Sequence, residues 1–262
     1  MSAAPEMLSQ AIRRPLYLVP KDRVQVRRDG DFLVAQQRGQ PARHYVVSHL
    51  DRVICTALVD WEGEAMALCL RHGVTVSWLD GHNQLLGHCM PAVIATHPLH
   101  ECLERFVESR NAEQSWDNWF RHRRMHVLSE YAARRLAAGD DIPEAEWRDL
   151  KRQYVYWRQV PRQLHPDLLG PFQAMLVARL AREHVRPTYP CRSGQVLDLL
   201  DDLTVLVWGE INLESRGLGV VIADRRIQWQ FVESWQREHS ALLTDHLAAM
   251  KFFVARTLQT CP

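Results

Sequence analysis

The sequence predicts an α+β protein in which a small N-terminal β-domain is followed by a larger all-helical C-terminal domain. In residues 16–91 apolar and polar side chains alternate with the period of two that is typical of β-strands. From about Pro98 onward apolar residues recur every three or four positions, as on one face of a helix. The 262 residues, 47% hydrophobic and 24% charged, have a globular composition and are enough for two domains. We therefore expect a disordered tail over residues 1–15, a β-domain over residues 16–91 and a helical domain over residues 98–262.

The segment from Gly73 to Pro91 defines the β-domain best. Apolar residues alternate there with Thr75 and Ser77, and the pair Asp80-Gly81 is suited to a tight hairpin. Shorter strand-like runs precede this segment, and residues 64–72 carry apolar side chains at the spacing of a short amphipathic helix. The local patterns thus predict a small sheet accompanied by one helix.

The C-terminal part is predicted to be a series of helices, most of which end near a glycine or a proline. The predicted helical tracts cover residues 98–136, 144–159, 171–183, 197–208 and 224–258. A short strand is expected at residues 220–222.

Composition argues against several functional classes. The 32 basic and 31 acidic residues give a formal net charge of +1, so a DNA-binding surface would require local segregation of arginine. The six cysteines form no C-x-x-C pair, which argues against a conventional zinc site and a secreted disulfide scaffold. The chain shows no signal peptide and no long apolar run, so we expect a cytoplasmic protein without a membrane segment. Walker, G-x-S-x-G and dinucleotide-binding motifs are missing, which disfavours nucleotide hydrolysis and hydride transfer.

The order of the N-terminal segments resembles a known protein family. The residues that carry the resemblance are LYLV (Leu16 to Val19), VVSHLDRVI (Val46 to Ile54), GVTVSWLD (Gly73 to Asp80) and the exit from Gly87 to Pro91. Together they are similar to the N-terminal β-domain of the CRISPR-associated spacer-acquisition integrase, the first Cas protein. The resemblance implies a homodimer formed through the β-domain, binding to DNA ends, and a small second Cas protein as partner.

In the family that the chain resembles, a helical domain holds a divalent metal between a Glu, a His and an Asp, and joins a DNA 3′-hydroxyl to a phosphodiester. The resemblance therefore implies Mg²⁺ or Mn²⁺ as cofactor and an integrase-like endonuclease activity. Asp202, in VLDLLDDLTVLV, and Glu130, in VLSEYAARRLAAG, resemble the family's aspartate and glutamate and are the predicted catalytic residues. His184 is the nearest histidine to the third position, so Glu130, His184 and Asp202 are the predicted metal ligands.

The sequence departs from the family's pattern at three places. Residues 188–191 lack the family's histidine, Gly170 stands in place of an asparagine, and Val205 replaces a glutamate. These departures leave open a catalytically silent relative that binds DNA or serves as a scaffold. An unrelated helical interaction protein is a further alternative, in which Asp202 belongs to a solvated helix face and Glu130 pairs with Arg134.

The predicted DNA-binding residues are basic and are interleaved with tryptophan and tyrosine. Arginines can clamp successive phosphates while aromatic rings stack on unpaired bases. The predicted DNA-binding residues are Arg121, Arg123, Arg124, Arg134, Arg135, Arg148, Lys151, Arg152, Arg158 and Arg162. Acidic residues between Asp140 and Asp149 dilute this run, so a mixed-charge solvated surface is the alternative.

Overall fold

The computed structural model describes residues 13–160, 166–214 and 225–260. The chain divides into two compact units, of which the first runs to Gly81 and includes Leu86–Pro91, and the second consists mainly of the chain from Ala92 onward. Strands dominate the first unit and helices the second, which confirms the predicted α+β class. Within the described ranges, every helix is too short or too polar to cross a membrane.

The first unit, called here the β unit, contains two four-stranded sheets, one α-helix and one short 3-10 helix (Val47–His49) among its described residues. Its elements are β1 (Arg14–Leu18), β2 (Val24–Asp29), β3 (Phe32–Gln37), β4 (Arg43–Val46), β5 (Leu50–Thr56), β6 (Val59–Trp61), α1 (Gly63–Arg71), β7 (Thr75–Leu79) and β8 (Leu85–Cys89). One sheet has the order β1-β5-β7-β8, and the other has the order β4-β3-β2-β6. Strand β5 is parallel to both β1 and β7, whereas β3 is antiparallel to both β2 and β4.

Burial in the β unit follows the sequence pattern. In β2, Val24 and Val26 are buried and alternate with exposed polar residues, as a period of two requires. Helix α1 lies close to its predicted bounds and buries Ala65, Leu68 and Cys69 in the same core. The apolar face of the helix and the inner faces of the strands thus share one hydrophobic cluster.

The second unit, called here the helical unit, contains seven α-helices and one short hairpin within the described residues. Its elements are α2 (Pro98–Val107), α3 (Ala112–Ala137), α4 (Glu144–Leu150), a π-helix (Lys151–Tyr156), α5 (Leu169–Arg182), β9 (Thr188–Pro190), β10 (Val196–Asp198), α6 (Leu199–Glu214), α7 (Arg225–Glu238) and α8 (Ser240–Thr260). Strands β9 and β10 pair antiparallel.

Several bounds differ from those predicted. The tract 98–136 is broken by a turn between α2 and α3, and the tract 224–258 is broken at His239, because apolar periodicity can continue across a tight turn. The tract 144–159 changes from an α-helix to a π-helix at Lys151. The predicted strand at 220–222 and residues 1–12 of the predicted tail lie outside the described residues.

Helix α6 lies at the centre of the helical unit. Residues 202–213 of this helix are all buried, which is the pattern of a helix surrounded by other elements. Helices α3 and α5 both pack against it. Because Asp202 and Glu210 belong to this buried stretch, the fold brings two carboxyl groups into its interior, where each needs a partner.

Candidate functional site

Asp202 is held inside the helical unit by two donors from distant parts of the chain. Its side chain is only 4% exposed. The indole Nε1 of Trp116 donates to Oδ2 at 2.7 Å, and Nη2 of Arg158 lies 2.7 Å from Oδ1. The same Nη2 lies 2.7 Å from Oδ2 of the neighbouring Asp201. Burial raises the pKa of Asp202 to about 6, against the opposing effects of Arg158 and Trp116.

A second guanidinium group adds positive charge near the same carboxylate. Arg124, on α3, is only 3% exposed, and it donates through Nε and Nη2 to the carbonyl oxygen of Val155, at 3.3 and 3.1 Å. Burial is the main cause that lowers the pKa of Arg124, and the neighbouring positive charge of Arg158 lowers it further. Asp202 acts in the opposite direction on Arg124, so the buried Asp202 and Arg124 and the partly exposed Arg158 form one charge cluster.

The other two predicted metal ligands lie elsewhere in the helical unit. Glu130 is half exposed on α3 and lies 3.3 Å from His126. It follows Trp116 by fourteen positions in the same helix, which corresponds to roughly 21 Å along the axis. The ring of His184 packs on that of His97 with centroids 4.9 Å apart. The structure therefore does not bring Glu130 to Asp202, and the described residues contain no group of three His, Cys, Asp or Glu side chains that could hold a metal ion.

A second buried polar network was missed by sequence reasoning. His246, on α8, lies between Glu210 and Arg123, with Nε2 2.9 Å from Glu210 Oε2 and Nδ1 2.7 Å from Arg123 Nη2. Because a guanidinium group can only donate, Nδ1 of His246 accepts from Arg123 and its Nε2–H donates to Glu210. Glu210 is the one charged residue in the apolar run VLVWGEINL, and this isolation was the available signal for a buried role.

The exposed part of the predicted DNA-binding surface is a groove between α3 and the π-helix, called here the α3–π groove. Its volume is about 360 Å³. The residues that line it are Asn118, Arg121, His122, Met125, Lys151, Val155 and Tyr156. The guanidinium of Arg121 lies 5.9 Å from the ring centroid of Tyr156. Tyr156 and the next residue, Trp157, are more than half exposed, and no carboxylate is found among the described residues that line the groove.

The remaining predicted DNA-binding residues differ in their availability. Arg123 and Arg124 are engaged in the interior, as described above, and Arg162 lies outside the described residues. The residues that pair with carboxylates, each given with its partner, are Arg134 with Glu214, Arg135 with Asp140 and Glu146, Arg148 with Glu144, and Arg152 with Asp149. Arg121 and Lys151 are thus the two predicted residues that line the α3–π groove.

Comparison with known proteins connects this fold to one family. Residues 17–116 match the family model described as CRISPR associated protein Cas1. A CAS1 protein from Thermotoga maritima, TM1797, shares 10% identity with a TM-score of 0.66, covering 92% of this chain and 97% of that chain. TtCas1 in a DNA complex shares 13% identity with a TM-score of 0.55, covering 91% and 90%. A casposase bound to an integration product shares 14% identity with a TM-score of 0.51, covering 80% and 74%. A search of curated proteins found no match.

Proposed function

We propose that this chain is a Cas1-like protein that binds DNA ends during CRISPR spacer acquisition in the cytoplasm. The family match and the fold shared with a DNA-bound Cas1 and with a casposase support this role. The observation that carries the proposal within this chain is the α3–π groove, which combines positive charge with exposed aromatic rings.

The α3–π groove offers two kinds of contact to DNA. Arg121 and Lys151 provide charged donors for backbone phosphates. Tyr156, which lines the groove, provides a ring face on which an unpaired base at a frayed end can stack, and the exposed Trp157 follows it in sequence. This combination favours forked or overhanging ends over blunt duplex, because bases in a blunt duplex remain stacked on each other.

We further propose two partners, a second copy of this chain through the β unit and a small second Cas protein. The family resemblance supports both. The sheets of the β unit also have edge strands, and a strand of a partner copy can form hydrogen bonds with the backbone groups along such an edge. Leu86 on the edge strand β8 is 63% exposed, and a partner copy would cover such an apolar side chain.

The family resemblance implies a divalent metal, but the residues present do not fit one. Both oxygens of Asp202 are engaged by the chain itself, since Oδ2 accepts a hydrogen bond from Trp116 and Oδ1 forms an ion pair with Arg158. Glu130 lies on the surface beside His126, roughly 21 Å along α3 from Trp116. The contacts of Asp202 therefore favour a silent relative that binds DNA over a strand-joining enzyme.

Fluorescence anisotropy with forked DNA, measured in EDTA over a series of salt concentrations, tests the binding proposal. Arg121→Ala and Lys151→Ala should each weaken binding and flatten the salt slope by about one phosphate contact. Tyr156→Ala should weaken forked DNA binding by roughly 5-fold to 150-fold while leaving the slope unchanged, since stacking contributes about 1–3 kcal/mol per base. Arg148→Ala is the matched control, because Arg148 is exposed but pairs with Glu144.

Unchanged salt slopes in Arg121→Ala and Lys151→Ala would show that DNA lies elsewhere on the molecule. The same DNA incubated with Mg²⁺ or Mn²⁺ separates the two candidate activities. A silent relative gives no cleaved or joined product although it binds the DNA. A metal-dependent product from the wild-type chain would instead support the integrase activity.

A further inference from the structure

The positively charged side chain of Arg158 lies between the carboxylates of Asp201 and Asp202, at a position where a metal ion could otherwise bind them. Its Nη2 lies 2.7 Å from both Asp201 Oδ2 and Asp202 Oδ1. Trp116 Nε1 donates to the other oxygen of Asp202. The guanidinium group thus places a positive charge between the two carboxylates.

The backbone and the surrounding charges support the same role. Arg158 has a φ of +57°, the left-handed conformation common just after the end of a helix. The amide of the next residue, Gln159, donates to the carbonyl oxygen of Gln153 at 2.9 Å and closes this end of the π-helix, so the backbone of Arg158 is held while its side chain pairs with α6. Arg124 is buried close to Asp202 as well, so a divalent ion approaching Asp202 would meet two guanidinium groups and be repelled.

We infer that Arg158 is a built-in cation that replaces a divalent metal at Asp201 and Asp202. This inference rests on the proposed function, because the family resemblance is what implies a metal near Asp202. It also deepens the proposed function. Arg158 follows the π-helix closely in sequence, so its ion pairs to α6 fix the end of this helix and keep the Tyr156 ring at the α3–π groove without a metal.

Terbium luminescence tests whether a hard cation reaches Asp202. The Trp116 indole touches this carboxylate, so terbium bound there would emit when tryptophan is excited. The wild-type chain should show no emission that depends on Asp202. Arg158→Ala should gain emission, and the double variant Arg158→Ala/Asp202→Asn should lose it again. Arg152→Ala is the matched control, since it removes an exposed arginine of the same segment and should leave the emission at the wild-type level.

Thermal unfolding gives a second readout. Arg158→Ala should lower the Tm by on the order of 5–10 °C, because a buried carboxylate loses its partner. Millimolar Mn²⁺ should restore part of this loss in Arg158→Ala and should leave the wild-type Tm unchanged. If Arg158→Ala does not fold, Arg158→Lys, which keeps the charge, should fold and exclude terbium as the wild type does.

Three results would overturn the inference. The first is Asp202-dependent terbium emission in the wild type, which would mean that a metal displaces Arg158. The second is a folded Arg158→Ala variant that shows no response to either metal. The third is terbium emission in Arg158→Lys as strong as that expected for Arg158→Ala. Neither readout involves DNA, so loss of DNA binding in EDTA would count against the proposed function and not against the role of Arg158.

Discussion

Replacing Gly209 by alanine should destabilise the helical unit, because this glycine makes room for a buried ring. Gly209 lies on α6, and Tyr154 of the π-helix is fully buried against it. A Cβ at position 209 would lie 2.2 Å from Cε2 of Tyr154, 2.5 Å from Cζ and 2.7 Å from the hydroxyl oxygen. Carbon atoms in packed cores stay about 3.5–4.0 Å apart. The ring would therefore have to move by roughly 1 Å or more, away from the carbonyl of Leu206 to which its hydroxyl donates at 2.9 Å.

Three contributions set the magnitude for Gly209→Ala. Forcing an extra methyl group into a packed core costs about 1–3 kcal/mol. Weakening the buried bond from Tyr154 to Leu206 costs about 1 kcal/mol more. Alanine in a helix interior recovers about 1 kcal/mol relative to glycine. The free energy of unfolding should therefore fall by about 1–3 kcal/mol.

Urea unfolding of the whole chain, followed by circular dichroism at 222 nm, which reports on helix content, measures this change. Gly63→Ala is the matched control, since Gly63 lies in helix α1 with open space where its Cβ would be, and it should be neutral or slightly stabilising. When Tyr154 is replaced by leucine, Gly209→Ala should lower the free energy of unfolding by less than it does in the wild type. The difference between the two changes gives the coupling energy between positions 154 and 209. Gly209→Ala with wild-type stability would refute the reasoning, because the ring would then have moved without cost.

Two further changes test the buried polar groups of the helical unit. Burial is the main cause that lowers the pKa of His100 below its ordinary 6.5, so the folded state binds fewer protons than the unfolded state. The contribution of His100 to the free energy of unfolding should therefore be complete above pH 6.5, the unfolded pKa. It should be lost as the pH falls through the lowered pKa of the folded state. His100→Gln should therefore flatten the decline of Tm between pH 6.5 and pH 5, and an unchanged decline would contradict this. Glu210→Gln should lower the free energy of unfolding in urea by about 1–3 kcal/mol. The reason is that it replaces the carboxylate that pairs with His246, which in turn contacts Arg123. Glu214→Gln is the control, because Glu214 is partly exposed.

The sequence was sufficient for elements that depend on a regular period. Val24 and Val26 in β2, and the buried face of α1, follow directly from alternation and helical spacing. The π-helix after Leu150 could not be predicted, because a single turn of i→i+5 bonds inserts about one residue into the apolar pattern, too small a change to recognise over so short a segment. The break at His239 was missed for a similar reason, since apolar residues continue at helical spacing on both sides.

The candidate site depends on contacts that local patterns do not contain. The family resemblance singled out Asp202, but its partner Trp116 lies 86 positions away and Arg158 lies in another segment. His246 and Glu210 are likewise far apart in sequence. A one-dimensional pattern indicates that a carboxylate in an apolar helix needs a partner. It does not indicate whether that partner is a metal, an arginine or a histidine, which is decided by packing.

Because the chain has almost no net charge, few basic residues are available to contact DNA. The salt dependence of DNA binding should therefore show whether one chain or a dimer contacts the DNA. Carboxylates neutralise arginines such as Arg135, Arg148 and Arg152, which leaves Arg121 and Lys151 of the predicted DNA-binding residues for phosphates. Two contacts predict a salt slope of roughly −2 for one chain. A dimer that holds both ends of one DNA should show roughly −4, and its second contact gains from effective concentration. Light scattering at micromolar concentrations should therefore detect a dimer, and the steeper slope should appear only with DNA long enough to reach both copies. A monomer by light scattering together with a slope near −2 on every DNA length would show that each chain binds alone.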